Sequence, residues 1–296
     1  MPEISNRKLF YNTIFCQTFS PNGKFLIAGS LYGDVSVFDL LKSFEPNQID
    51  NYDYQAPIYK FTAYVNQCVQ SMVTTDDFLI TGTSGEITGW DWKIVKSNKA
   101  SRKNISWTIQ IPTDKDTSEK PDVNSMVYSK EKHLLYAGCG DNKIYDGTVK
   151  FWDLRNLEHT STLTPSLNGQ ISRPKLGKWI GAVDFTEDWL LCGGGPSLSL
   201  WHLRTMETAT IFDLPDEGIH VASIHDERII AGGCMPAVYH LNYQGEVLAK
   251  VPTSSKTVYS IVHCEKPQKI LSISGSSNNI DICTNFNYRE FILKFA

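Results

Sequence analysis

The sequence predicts an all-β fold, a β-propeller built from four-stranded blades. Three observations carry this prediction: apolar and polar residues alternate along short segments, Gly-containing turns separate the segments, and the whole pattern recurs along the 296 residues. Alternation with a period of two is typical of half-buried strands, and Asn-Gly or Gly-Asp turns join antiparallel neighbours. A propeller blade takes about 40–45 residues, and most copies of the pattern recur at a comparable interval.

The first two copies show the order of the strands. In the first copy, strands are predicted at Thr13–Ser20, Lys24–Gly29 and Val35–Leu40; in the second they fall at Val69–Val73, Phe78–Gly82 and Ile87–Trp92. One position near the end of each third strand recurs, and it is aromatic in most copies. We take the following positions as equivalent: Phe38, Trp90, Trp152, Trp201, Tyr239 and Cys283.

The remaining residues are assigned to loops around a single domain. Phe44–Gln55 and Ile94–Asp122 are polar and lack alternation, so both are predicted to be excursions from the blades. The domain is predicted to span residues 13–296 after an N-terminal extension at 1–12.

One interval is too short for the strands it must hold. A third strand begins at Asn142–Tyr145, but a second turn, Asp146-Gly147, follows at once and leads to another complete third strand at Thr148–Leu154. We therefore favour the absence of roughly one repeat, about 40 residues, between Tyr145 and Asp146; the alternative is one blade with a hairpin insertion. Six complete blade-lengths remain, which predicts a six-bladed ring with a hybrid third blade or a strained, partly open seven-fold ring.

Composition excludes several classes of protein. The 28 Lys and Arg against 32 Asp and Glu give a net charge of −4, which is no electrostatic footprint for nucleic acid, so any RNA contact is expected to be local. No apolar run approaches a membrane span and no signal peptide is recognisable, so we expect a soluble intracellular protein. The seven cysteines form no Cys-x-x-Cys pair. Free, buried thiols are predicted, including Cys139, Cys192 and Cys234 beside glycines.

No catalytic residue, metal site or cofactor is predicted. The sequence contains no phosphate-binding loop, Rossmann glycine motif, His-Glu-x-x-His or nucleophile elbow. His263-Cys264-Glu265 has the spacing of a zinc deaminase motif, but no Pro-Cys-x-x-Cys follows it. The Gly-rich run at Gly193–Pro196 precedes no helix that could present amides to a phosphate, and it predicts a tight turn between strands.

Two basic clusters are candidate binding surfaces. The first is a basic loop whose acidic second half favours a solvated loop over a patch for RNA or an acidic partner. It contains Lys93, Lys96, Lys99, Arg102 and Lys103. In the second, Arg173, Lys175 and Lys178 surround Trp179, a composition that protein interfaces favour. Packing of Trp179 between two blades is an equally good interpretation.

The strand ends resemble those of the WD-repeat family. Trp90-Asp91 and Trp152-Asp153 keep the namesake pair, and Gly-Asp or Asp-Gly turns precede the third strands. Ala63-Tyr64 stands where the family has Ala-His or Gly-His, so the family's buried His–Asp network is not expected in most blades.

A closer resemblance rests on longer stretches of sequence. They are Gly177–Gly181, Cys192–Pro196, Leu198–Arg204, Ser20–Gly29 and Thr284–Arg289. Together they resemble the THO complex subunit 6 family, whose members have seven repeats. The resemblance implies a nuclear, non-catalytic docking subunit of the THO/TREX assembly, bound to other, coiled-coil-bearing subunits and supporting mRNA processing and export. Contact with RNA is expected to be indirect or weak.

A second function is suggested by one short motif. Trp152-Asp153-Leu154-Arg155 resembles the Trp-Asp-x-Arg signature with which substrate receptors bind cullin-4 ligase adaptors. Arg155, and Arg204 in a degenerate second copy, would then contact an acidic adaptor surface.

Overall fold

A computed structural model describes residues 11–44, 56–111, 120, 122–129, 134–140, 149–153, 158–286 and 288–295. The Tyr145–Asp146 junction and Arg155 lie outside these residues. The chain divides into two compact units, one formed by Met1–Lys143 with Ser260–Ala296 and the other by Ile144–Tyr259. A single domain over residues 13–296 therefore stays a prediction, as do the two ring arrangements.

The first unit contains three four-stranded antiparallel sheets and one two-stranded sheet. The first sheet consists of β1 (Ile14–Phe19), β2 (Phe25–Ser30), β3 (Asp34–Asp39) and β4 (Tyr59–Thr62). The second consists of β5 (Ser71–Thr74), β6 (Phe78–Thr83), β7 (Glu86–Asp91) and β8 (Trp107–Gln110). The two-stranded sheet pairs β9 (Asp122–Ser129) with β10 (Leu134–Gly140). The last sheet consists of β21 (Val258–Cys264), β22 (Ile270–Gly275), β23 (Asn279–Thr284) and β24 (Tyr288–Lys294).

The second unit contains two four-stranded sheets and one two-stranded sheet. The two-stranded sheet pairs β11 (Val149–Asp153) with β12 (Glu158–Leu163). The next consists of β13 (Ile180–Phe185), β14 (Trp189–Gly194), β15 (Ser199–His202) and β16 (Glu207–Ile211). The last consists of β17 (Ile219–His225), β18 (Arg228–Gly233), β19 (Met235–Asn242) and β20 (Val247–Pro252). The described part of the chain is thus all-β, as predicted, and its complete sheets have the four strands of a blade.

The helices are short and begin at the aspartates that end third strands. Among the described residues they are α1 (Leu40–Ser43) and α2 (Trp92–Lys96). Two 3₁₀ turns, Arg102–Asn104 and Pro165–Leu167, follow Ser101 and Thr164 instead. The Asp39 carboxylate accepts a hydrogen bond from the backbone N–H of Leu41 at 3.1 Å, which caps α1. Asp91 caps α2 in the same way. Trp92, predicted as the last residue of a strand, is therefore the first residue of a helix. No helix in the described residues is long and apolar enough to cross a membrane.

The strand register confirms most of the equivalent positions and corrects one. We define the equivalent position as the third-strand residue that pairs with the second residue of the second strand. Four pairs agree with the prediction: Leu26 with Phe38, Leu79 with Trp90, Leu190 with Trp201, and Leu271 with Cys283. In the β17–β20 sheet the matching pair is Ile229 with Leu241, so the assignment to Tyr239 was wrong by two residues. Tyr239 and Leu241 point to the same face of β19, so alternation alone does not distinguish them.

Two further expectations fail. The segment Ile94–Asp122 is not wholly an excursion, because it contains β8, which pairs with β7. Three of the four β8 residues are exposed, so the strand gives no alternating signal. Cys192 is buried as predicted, whereas Cys234 is exposed; both are free thiols. Cys234 lies between β18 and β19 at a sheet end, where the side chain reaches solvent.

Candidate docking surface

Trp179 is held in a fixed position just before β13. Its indole N–H donates to the Leu176 carbonyl oxygen at 2.8 Å. The ring lies against two glycines: a Cβ atom at Gly218 would be 2.9 Å from Cζ2 of the indole, and one at Gly181 would be 2.5 Å from Cζ3. Only glycine at these two positions leaves space for the indole ring. The two glycines therefore fix the orientation of Trp179. The ring is partly buried and partly open to solvent.

Two aromatic residues of the following repeats extend this surface. The His220 ring stacks on Trp179 with centroids 5.2 Å apart and an interplanar angle of 24°. Tyr259 lies next, 5.0 Å from His220. Each residue stands at or just before the start of an inner strand, β13, β17 or β21. Sequence reasoning missed His220 and Tyr259 because each comes from a different repeat, and no local pattern links them.

His220 also contacts a thiol. Its Nε2 atom lies 3.2 Å from Sγ of the exposed Cys234. Burial lowers the pKa of His220 below its ordinary value, which favours the neutral imidazole.

Arg173 serves the fold at this site. Its guanidinium donates to three carbonyl oxygens of the Gly-rich turn, those of Gly195 at 2.8 Å, Gly194 at 3.1 Å and Pro196 at 3.2 Å. It also lies 3.6 Å from the Asp216 carboxylate, and only 14% of its side chain is exposed. Burial lowers its pKa, against the opposing effect of Asp216. The guanidinium therefore holds the turn closed and has few donors left for a partner.

The two lysines have the opposite environment. Lys175 and Lys178 are exposed and form no salt bridge with any residue that the structure describes. They flank Trp179 in sequence, so two free cations stand beside a fixed aromatic ring. We name this group the Trp179 surface; it consists of Lys175, Lys178, Trp179, His220 and Tyr259.

The basic loop is divided between structural and free cations. Arg102 donates to the Ala63 carbonyl oxygen at 2.8 Å, lies 3.5 Å from Glu86, and its guanidinium carbon is 5.8 Å from the centre of the Tyr64 ring. Lys96 lies over the Trp92 ring at 5.7 Å. The other three, Lys93, Lys99 and Lys103, are exposed. The acidic half expected to balance them lies outside the described residues.

The cullin-adaptor motif receives no support from its described part. Arg204 lies 3.2 Å from Asp188 in an ion pair whose side chains are 76% and 47% exposed. Arg155 lies outside the described residues, and β11 places Trp152 and Asp153 in a strand. Binding to a cullin-4 adaptor stays a prediction.

Comparison with known proteins gives a consistent result. The family model described as "WD domain, G-beta repeat" matches residues 8–39 and 113–153. THO complex subunit 6 of Drosophila melanogaster is 33% identical over 96% of this chain and 89% of its own length. The Danio rerio homolog is 32% identical over 97% and 99%, and the Homo sapiens protein 31% over 96% and 93%. With the four-stranded sheets, the repeat matches confirm the class of WD-repeat β-propeller.

Proposed function

Because the chain belongs to the THO complex subunit 6 family, we propose that it is a non-catalytic docking subunit of the nuclear THO/TREX assembly. It supports mRNA processing and export through protein–protein contacts, and its partners are the other, coiled-coil-bearing subunits. Family membership over nearly the whole chain is the observation that carries this proposal. RNA contact is indirect or weak, in keeping with the net charge of −4.

The Trp179 surface supports the proposal and is the contact we assign to it. An aromatic side chain that is already fixed loses little conformational entropy on binding, and it offers a large apolar area. Trp179 is fixed by its hydrogen bond to Leu176 and by the two glycines. Lys175 and Lys178 favour a partner that presents carboxylates around an apolar side chain.

The non-catalytic assignment rests on family membership. The thiol of Cys234 and the imidazole of His220 lie beside Trp179. A docking role uses these groups as packing surface and requires no proton transfer.

Affinity purification from nuclei tests the proposal with two matched variants. Lys175→Glu with Lys178→Glu reverses two exposed charges on the Trp179 surface, and Lys93→Glu with Lys99→Glu reverses two exposed charges in the basic loop. The first variant is expected to recover THO subunits about fivefold less well or worse, because opposite charges across an interface become like charges. The second is expected to recover them at the level of the unaltered chain.

Two outcomes would contradict the proposal. Failure of the unaltered chain to recover THO subunits would refute the docking role. Loss of recovery in the basic-loop variant alone would keep the role and move the contact to that loop. Treatment of the extract with ribonuclease is expected to leave recovery unchanged, since protein contacts carry the binding.

A further inference from the structure

The inner strand of the β13–β16 sheet exposes two large apolar side chains. Val183 is 49% exposed and Phe185 is 72% exposed, and both point to the same face of β13. Exposure of neighbouring apolar residues in a strand marks a surface that another element covers.

The position of Val183 is buried in three other sheets, and the position of Phe185 is buried in the first sheet and partly buried, as Thr74 and Ile224, in two others. Val183 pairs with Cys192, and its counterparts by strand register are Gln17, Met72 and Ala222, each no more than 8% exposed. Phe185 pairs with Leu190, and its counterpart in the first sheet, Phe19, is 8% exposed. Met72, Ala222 and Phe19 are apolar, as Val183 and Phe185 are, so the difference in exposure lies in what packs against them. Gln17 is instead a buried amide that hydrogen-bonds to Ser272 and Ser274.

In the β5–β8 and β17–β20 sheets the cover is the inner strand of the preceding repeat, and in the β1–β4 sheet β22 packs against β1. Strand β5 contacts β1, and β17 contacts β13. For the β13–β16 sheet, the described residues supply a different neighbour, the β11–β12 pair. Val149 and Leu163 from that pair join Leu190, Cys192 and Trp201 in one core cluster. The pair thus covers the outer part of the sheet and leaves Val183 and Phe185 bare.

The strand pairing of β11 indicates which element would cover Val183 and Phe185. In a complete sheet the third strand pairs with the second and the fourth, as β15 does with β14 and β16. By sequence pattern β11 is a third strand, yet among the described residues it pairs only with β12. No strand that the structure describes occupies the places of strands one and two in that sheet. Conversely, β9 and β10 pair with each other, and no third or fourth strand joins them among the described residues.

The comparison with relatives gives the length of what is missing. The alignment with the Danio rerio homolog runs over 329 positions while covering 97% of these 296 residues. In total, roughly 40 aligned positions of that relative therefore have no counterpart here, a number comparable with the length of one repeat.

We propose that the face formed by Val183 and Phe185, together with the edge of β11 that pairs with no described strand, is a docking site for an antiparallel strand pair. The pair consists of the first and second strands of a repeat that the longer relatives carry between their counterparts of β10 and β11. Its second strand hydrogen-bonds to β11, and its apolar face covers Val183 and Phe185. This inference is independent of the proposed function.

Inserting that repeat tests the proposal directly. The segment of the Danio rerio homolog between its counterparts of β10 and β11 is placed between Tyr145 and Asp146, and Phe185→Ala is made in both forms. In the inserted form Phe185→Ala is expected to lower Tm by roughly 5–10 °C, and in the present chain by less than about 1 °C. Phe19→Ala is the control, because it lowers Tm equally in both forms.

A second measurement covers the case in which the inserted form does not fold. The same segment is added as a separate peptide to the present chain, and amide hydrogen exchange is followed at residues 180–194 and 149–153. Slower exchange in both stretches supports the proposal. Equal effects of Phe185→Ala in the two forms, or unchanged exchange with the peptide, would overturn it. So would a dimer of the present chain that Phe185→Ala dissociates, because the occupant would then be a second copy.

Discussion

The β5–β8 and β1–β4 sheets each bury a cluster of three side chains at equivalent positions, but one cluster is hydrogen-bonded and the other is apolar. In the β5–β8 sheet, Thr81 accepts a hydrogen bond from the indole N–H of Trp90 at 3.0 Å, and the Tyr64 hydroxyl lies 2.9 Å from the same oxygen. In the β1–β4 sheet the corresponding cluster is apolar and contains Ala28, Phe38 and Phe295. All six side chains are completely buried.

The difference shows that this repeat tolerates either chemistry when the position is filled and every polar group has a partner. Burial raises the pKa of Tyr64 to about 12, so its hydroxyl stays a neutral donor. A buried polar group that loses its partner retains its full desolvation cost, whereas an apolar cluster has no such group. The expected cost of a mutation therefore depends on what it leaves without a partner.

The largest expected effect comes from breaking the polar cluster at its shared atom. Thr81→Val removes the acceptor of the Trp90 indole while keeping the shape of the side chain, and it is expected to destabilise the chain by about 2–3 kcal/mol. Urea unfolding measures the effect. Thr108→Val, on exposed β8, is the matched control and is expected to change stability by less than about 0.5 kcal/mol.

Converting the whole cluster sharpens the comparison. The triple variant Tyr64→Phe, Thr81→Ala, Trp90→Phe gives the β5–β8 sheet the chemistry of the β1–β4 sheet. Its cost is expected to be at least about 1 kcal/mol smaller than the sum of the three single variants, since no polar group is stranded. Additive costs would show that the two sheets differ in more than the chemistry of this position.

His240 extends the comparison to a buried polar group without a partner. The side chain is completely buried and neither ring nitrogen has a hydrogen-bond partner. Burial, with a further contribution from Arg228, lowers its pKa to about 4. Because the unfolded chain binds a proton near pH 6.5 and the folded chain does not, stability is expected to fall by roughly 2 kcal/mol between pH 6.5 and about pH 4.

His240→Leu tests this expectation. The variant is expected to be more stable than the unaltered chain at pH 5, with a smaller slope of unfolding free energy against pH. Denaturant titrations at pH 7, 6 and 5 give the slope. An unchanged slope would show that other groups govern the acid response.

The smallest expected effect is at the surface. Arg204→Ala removes the exposed ion pair with Asp188 and is expected to cost no more than about 0.5 kcal/mol, decreasing with added salt. A loss comparable with that of Thr81→Val would mean that Arg204 has a structural role that its exposure does not indicate.

Much of the fold follows from local sequence patterns. The first three strands of the repeats were predictable because they are short, rich in buried apolar residues and separated by Gly-containing turns; the second and third strands are buried at nearly every position. The fourth strands β4 and β8 were not, since each has mostly partly or fully exposed residues and little alternation. The assignment of Leu241 as the equivalent position required the strand register. Residues two apart on a strand share a face, so alternation alone does not distinguish Tyr239 from Leu241.

The candidate site was only partly predictable. Sequence placed Lys175, Lys178 and Trp179 together because they are neighbours in the chain. It did not reveal that Arg173 holds the Gly-rich turn, since that contact depends on carbonyl oxygens about twenty residues away. Nor did it reveal the stack with His220 and Tyr259, which the packing of successive inner strands creates.

Lysine-directed cross-linking of the assembly purified from nuclei tests the central claim most directly, because it reads the contact without altering the chain. The Trp179 surface and the basic loop each offer exposed lysines, Lys175 and Lys178 on one side and Lys93 and Lys99 on the other. Docking through the Trp179 surface predicts cross-links from Lys175 and Lys178 to other THO subunits and few from Lys93 and Lys99. Cross-links to those subunits from the basic loop, with none from Lys175 or Lys178, would contradict it.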